Sequence, residues 1–160
     1  MSQRIAIFPG SFDPVTKGHV DIVLRALPMF DKIIVAIGDN TAKKRCFTLE
    51  KRLQWLKETF KDYNKVEVDA YFSLTTDYCK KVGAKFIIRG LRSTTDYHYE
   101  ANIARINHEL SPEVDTVFLL TSPKDVSISS SLVREILFFG GNVDAFVPKQ
   151  VNITPQDIQK

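Results

Sequence analysis

Four short stretches of the chain carry residues suited to handling phosphate. The first, Phe-Pro-Gly-Ser-Phe-Asp-Pro-Val-Thr-Lys-Gly-His over residues 8–19, sets a hydroxyl at Ser11 and an imidazole at His19 among two prolines and two glycines. Gly10 lets a ligand approach the backbone, Ser11 offers a hydroxyl and an amide, and a helix beginning near Thr16 adds the positive end of its dipole. The stretch is neither a Walker A loop nor a Gly-x-Gly-x-x-Gly turn. Taken alone, it reads equally well as a proline-fixed turn with an exposed histidine. The second stretch, Gly38 to Arg45, ends in three cations, Lys43, Lys44 and Arg45, which are either a ligand rim or a solvated face. The third is Arg89-Gly90-Leu91-Arg92, followed by Glu100. A guanidinium at the exit of a buried strand can fork onto phosphate, and the alternative is a structural ion pair. The fourth, Ser127-Ile128-Ser129-Ser130-Ser131, packs four serines into five residues. That is more than a helix cap needs.

The elements that must position these stretches follow from hydrophobic periodicity. Apolar runs at Ile5–Phe8, Ile33–Ile37, Val66–Tyr71, Phe86–Ile88 and Thr116–Leu120 predict strands. Helical stripes lie between them: Val20 to Leu27, Leu49 to Phe60 behind Thr48, Thr76–Val82 before Gly83, Tyr99 to Leu110 before Pro112, and Ser130–Phe139 before Gly140-Gly141. Short, nearly continuous β-branched runs alternating with helices predict a doubly wound α/β fold with about five parallel strands and helices on both faces. Ligands of such folds bind beyond the carboxyl ends of the strands, and each of the four stretches follows a strand. Together they offer two helix N-termini, at least four cations and one histidine on one edge, which suits a polyphosphate. Trp55 falls off its helix's stripe and is expected to be partly buried or to mark a subunit contact.

The chain of 160 residues fits one domain spanning residues 1–160, with a polar tail from about 148. With 44% hydrophobic and 26% charged residues it has globular composition. No apolar run is long enough to cross a bilayer. Met-Ser-Gln-Arg leads straight into a strand-like run without a signal peptide's apolar stretch, so a cytoplasmic location is expected, and with it two free thiols at Cys46 and Cys79. A net charge of +3 suits anionic small molecules and is too weak to argue for nucleic acid.

The motifs together resemble the bacterial-type phosphopantetheine adenylyltransferases of the nucleotidyltransferase superfamily. "PGSFDPVTKGH", "RGLR" with "DYHYE", and "SISSSLVRE" carry the likeness, which runs from about Arg4 to Pro148. Thr16-Lys17-Gly18-His19 is similar to the superfamily's (T/H)-x-G-H signature. The resemblance implies a Rossmann-like fold and the reaction of ATP with 4'-phosphopantetheine to dephospho-coenzyme A and pyrophosphate, with Mg²⁺ arriving on ATP. It places Ser11 against both substrates, with Phe12 and His19 on the nucleotide side. Lys43, Thr75 and Arg89 would line the acceptor site. Gly90, Leu91, Arg92 and Glu100 would hold ATP, with Asp125, Val126, Ser127, Ile128, Ser129, Ser130 and Ser131 closing over it. A homohexamer that responds to coenzyme A is implied in the same way, and the apolar runs and charge balance lead one to expect no membrane or nucleic-acid partner. The chain departs from the family in having Ser11 for threonine and Arg45 for a frequent proline.

The chemistry expected of these residues needs no general base. A phosphate monoester, with a second pKa of about 6, is largely dianionic at neutral pH and is already a nucleophile. The work is positioning and charge neutralisation during in-line attack. His19, Lys43 and Ser11 are therefore assigned to the reacting phosphoryl oxygens, and Asp13 to a turn in which it bonds its own backbone. His98 and His108 are expected to be surface or packing residues. The rival expectations are a nucleotidyltransferase for another acceptor, such as a pyridine mononucleotide, a non-catalytic nucleotide sensor on the same fold, and a basic nucleic-acid-binding module.

Overall fold

The computed structural model describes residues 3–39 and 43–159. Five strands, β1 (Ile5–Gly10), β2 (Lys32–Gly38), β3 (Val66–Tyr71), β4 (Phe86–Leu91) and β5 (Asp115–Leu120), pair into one parallel sheet. The spatial order is β3-β2-β1-β4-β5. Strand order reverses between β1 and β4, and the crevice beyond their carboxyl ends is where such sheets bind ligands.

Alternation along the central strands splits the core in two. Ala6, Phe8, Ile33, Val35, Ile37 and Ile88 point to one face, where helices α1 (Lys17–Ala26), α2 (Leu49–Phe60) and α5 (Ser130–Phe138) cover them. Ile7, Ile34, Ala36 and Ile87 point to the other face, against Tyr78 and Cys79 of α3 (Thr75–Val82), with α4 (Thr94–Leu110) alongside. Burying each such aliphatic side chain contributes roughly 1.5–3 kcal/mol. A strand apolar on both faces is the physical reason β1 and β2 read as continuous runs. Both cysteines are free, as expected.

Helix starts follow their caps. The side chains of Thr16, Thr48, Ser93 and Ser129 each accept from the backbone N–H three residues on. Gly83 ends α3 in the left-handed conformation at φ 70°. Several boundaries differ from the sequence expectation. Both β1 and β4 run further than their apolar runs, so Arg89 and Gly90 lie inside β4 and not beyond it. Helix α4 begins at Thr94, five residues before its apolar stripe, because Ser93 caps it. Trp55 is buried after all, with its ring edge-on to Phe47 at 5.0 Å.

The tail packs onto the body. Val151 is buried, and Ile153 and Ile158 pack against the core flanking a single 3₁₀ turn at Pro155–Asp157. The Gln159 N–H donates to the Cys46 carbonyl at 2.8 Å, and Lys51 pairs with Asp157 at 3.0 Å.

Candidate active site

The β1–α1 connection is braced from below. Phe12 sits at φ 45° with its ring buried under Gly10, where a Cβ would lie 3.1 Å from the ring. The Asp13 carboxylate is also buried. It accepts from the backbone N–H groups of Cys46 and Phe47, both at 2.9 Å, and so bonds a remote loop; the expected bond to its own turn is replaced. Arg52, only 2% exposed, donates to the carbonyls of Ser11 and Phe47 and to the Asp39 carboxylate. These bonds fix Ser11 at the exit of β1, half-buried.

His19 completes a reciprocal cap with Thr16. The Thr16 N–H donates to His19 Nδ1 at 2.9 Å, while the Thr16 hydroxyl accepts from the His19 N–H. With Nδ1 serving as an acceptor, the neutral ring carries its proton on Nε2. Phe8 and Phe12 hold the ring edge-on, with centroids at 6.2 and 4.9 Å. Desolvation, and secondarily the positive charges of Arg89 and Arg92, lowers its pKa to about 4. His19 is thus a neutral Nε2–H donor at pH 7.

In β4, the Arg89 guanidinium forks onto the Glu100 carboxylate at 2.7 and 2.6 Å and donates to the Pro9 carbonyl at 2.6 Å. The ion pair weighed as the alternative to phosphate binding is therefore present, and it joins two residues expected on different substrates. Arg89 keeps 30% of its side chain exposed, whereas Glu100 is buried. Arg92 is exposed and held by Asp96 at 3.1 Å. Gly90 lets α1 approach, since a Cβ there would lie 3.1 Å from Ile22 Cγ1.

At α5, the capping alternative accounts for Ser129, whose Oγ accepts from Leu132 N–H at 3.1 Å. Ser130 Oγ donates to the Pro14 carbonyl at 2.8 Å, and Ser131 Oγ accepts from Arg134 at 3.1 Å. The N–H groups of Ser130 and Ser131, in the first turn of the helix, have no intrahelical acceptor and are available to an anion. Arg134 also donates to the Asp13 carbonyl at 2.8 Å. Sequence reasoning gave Arg134 no role, although its place one turn after the serine cluster was a usable signal.

Two clefts meet at this edge. The first, about 330 Å³, is lined by His19, Gly90, Arg92, Ser129, Ser131 and Arg134, among others. Phe12, Ile128 and Ser130 also line it. The second, about 260 Å³, is bordered by Arg45, Tyr71, Thr75, Ile103 and Asn107. Pro9, Gly10, Ser11, Arg89 and Glu100 border both, forming the wall between them. Several expected residues stand apart. Leu91 is buried outside both linings, Asp125 is buried behind the first cleft, and Val126 and Ser127 are exposed away from it. Lys43 is exposed and lines neither cleft; residues 40–42, which precede it in the expected rim, lie outside the described residues. A larger hollow of about 520 Å³ at the open edge of β3 contains none of the expected residues.

Among the described residues, no group of three or more His, Cys, Asp or Glu side chains is placed to hold a metal ion, and no helix is long and apolar enough to cross a membrane.

The sequence pattern of the cytidylyltransferase-like family matches residues 7–136. The chain is 51% identical to the phosphopantetheine adenylyltransferase of Flavobacterium psychrophilum, over 94% of this chain and 99% of that one. It is 52% identical to the enzyme of the same name from Caldanaerobacter subterraneus subsp. tengcongensis, over 91% of each chain. Among solved structures, a Vibrio parahaemolyticus protein provisionally called a nicotinate-nucleotide adenylyltransferase superposes with a TM-score of 0.69 at 16% identity, over 93% of this chain and 90% of that one. A bifunctional NMN adenylyltransferase/ADP ribose pyrophosphatase from Francisella tularensis, solved with AMP and a manganese ion, gives 0.67 at 18% identity over 95% of this chain and 46% of that one. At such identities the structural likeness speaks for the fold alone.

Proposed function

The chain belongs to the phosphopantetheine adenylyltransferases within the cytidylyltransferase-like family, and on that premise we propose how its two clefts divide the work. The enzyme transfers the adenylyl group of ATP to 4'-phosphopantetheine, giving dephospho-coenzyme A and pyrophosphate. ATP occupies the first cleft and the acceptor the second, with the acceptor phosphate meeting the α-phosphoryl group at the shared wall of Ser11 and Arg89. The single observation that carries this reading is that wall: two substrates that must react in line need adjoining sites with a common boundary.

In this mechanism the acceptor phosphate attacks as a dianion, and no residue needs to remove a proton. The His19 Nε2–H donates to a nonbridging oxygen of the α-phosphoryl group, where charge develops. Arg92, Arg134 and the free amides at the start of α5 take the β- and γ-phosphates that leave as pyrophosphate. Arg89, held by Glu100, turns its remaining N–H edges to the acceptor. Lys43 reaches the reacting oxygens by swinging in from the rim. Mg²⁺ would arrive with ATP and would offset part of the phosphate charge. The carboxylates bordering the first cleft, Asp96 and Glu100, are already held by Arg92 and Arg89 and do not form a cage for it.

The assembly is a cytoplasmic homohexamer whose product-like ligand, coenzyme A, competes at the same clefts. Exposed apolar side chains support association: Tyr99, Ile106 and Leu110 on α4, Leu120 at the end of β5, and Phe138 and Phe139 at the end of α5.

Pyrophosphate release tests the reaction. ATP is offered with 4'-phosphopantetheine, nicotinate mononucleotide or nicotinamide mononucleotide. Release with the first alone is expected. Turnover of a pyridine mononucleotide in its place would move the acceptor assignment to that class, and binding of ATP without release under any condition would mark a nucleotide sensor.

A further inference from the structure

The second cleft holds a cation that the mechanism above does not use. Arg45 lines this cleft beside Tyr71 and Thr75. Its Nε is buried without a hydrogen-bond partner. Among the described residues, no carboxylate lies within ion-pairing distance of its guanidinium. The other arginine of the cleft, Arg89, has its charge balanced by the Glu100 fork. Among the described residues lining the second cleft, Arg45 therefore carries positive charge with no carboxylate against it. A buried donor without a partner is costly and rare in folded proteins, and a ligand acceptor is one of the few things that satisfies it.

The backbone fixes which end of the cleft this charge serves. The N–H of the Arg45–Cys46 peptide donates to Asp13 Oδ2 at 2.9 Å, and the next N–H donates to Oδ1. Arg52 ties the Phe47 carbonyl at 3.1 Å to the Ser11 carbonyl at 2.8 Å. Arg45 thus issues from the same braced corner as Ser11, on the reacting side of the cleft. Ile103, Ala104 and Asn107 of α4 line it too and suit an elongated, mostly uncharged arm. We propose that Arg45 is a further substrate-binding residue, taking the phosphate monoester of the acceptor in the second cleft. The proposal rests on the two-cleft reading and adds to it a contact supplied by the loop before α2.

Calorimetry without ATP tests it, using 4'-phosphopantetheine and, separately, pantetheine, which keeps the arm and lacks the phosphate. Arg45→Ala should weaken 4'-phosphopantetheine roughly 10- to 100-fold, the span of one charged hydrogen-bonding contact, and leave pantetheine and ATP within about twofold of wild type. Arg45→Lys should recover part of the loss, since a charge remains but the fork does not. Arg45→Gln, which keeps length without charge, replaces the alanine variant if that fails to fold. Equal binding of 4'-phosphopantetheine by wild type and variant overturns the proposal. Parallel loss of both ligands also overturns it, because the contact would then be to the arm or to the fold. A wild-type protein that binds neither ligand overturns the acceptor reading, and this proposal with it.

Discussion

The His19 ring shows how a helix cap can set up a neutral side-chain donor. The Thr16 N–H occupies Nδ1, so the neutral ring presents Nε2–H, and burial keeps it from protonating until about pH 4. The unfolded chain protonates this histidine near 6.5, so stability falls as pH drops from 6.5 toward 4 and is unaffected by this group above that window. In the free protein, a ¹⁵N-resolved titration should show the Nε2–H tautomer at pH 7 and an apparent pKa close to 4. Adding ATP should raise that value, because nearby phosphates favour the imidazolium. His19→Ala should lower kcat by roughly 10²–10³, the usual loss for one preorganised donor, and change ATP affinity far less. An unchanged kcat would remove His19 from the reacting oxygens. The Thr-x-x-His spacing is legible in the sequence, but the tautomer is not. It depends on which nitrogen meets a backbone N–H, and that is set by the turn of the helix.

Between elements, the connection that matters is Asp13. Its carboxylate satisfies two backbone N–H groups of the loop before α2 and so ties the β1 exit to that loop. Asp13→Ala leaves both donors buried and unmet, and should destabilise the fold by about 2–4 kcal/mol in denaturant titrations. The same change should raise the KM for the acceptor, because Arg45 and Ser11 lose their common brace. A stability within about 0.5 kcal/mol of wild type would show that the loops do not need the tie. The sequence signals turn chemistry at Asp13 but not its partner, which lies 33 and 34 residues away. Burial likewise decided Trp55. Its place off the helical stripe left two readings open, and the packing of Phe47 against it chose the core.

For the whole molecule, strand order does the work of site assembly. Reversal between β1 and β4 brings residues 9–11, Arg89 and Glu100 to one wall, and the start of α5 closes the first cleft. The outer surface carries a different message. Phe138 and Phe139 are 83% and 78% exposed at the end of α5, and Tyr99, Ile106 and Leu110 of α4 are exposed too. Light scattering should give a mass about six times the 18.2 kDa of one chain, and charged replacements at Ile106 and Leu110 should reduce it. A monomer at micromolar concentration would refute the hexamer.

By itself, the sequence determined a parallel α/β fold with residues suited to phosphate after its strands, and its motifs' likeness to a known family supplied the nucleotidyltransferase reading. Hydrophobic period, helix caps and the Thr-Lys-Gly-His and Ser-Ile-Ser-Ser-Ser motifs are local signals, and local spacing fixes them. Only the tertiary structure decided that Arg89 and Glu100 hold each other, that two clefts share the Ser11 wall, and that the Arg45 Nε, among the described residues, has no hydrogen-bond partner. Charge pairing between residues far apart in the chain depends on distances set by sheet order and loop bracing, which no residue's type or spacing encodes.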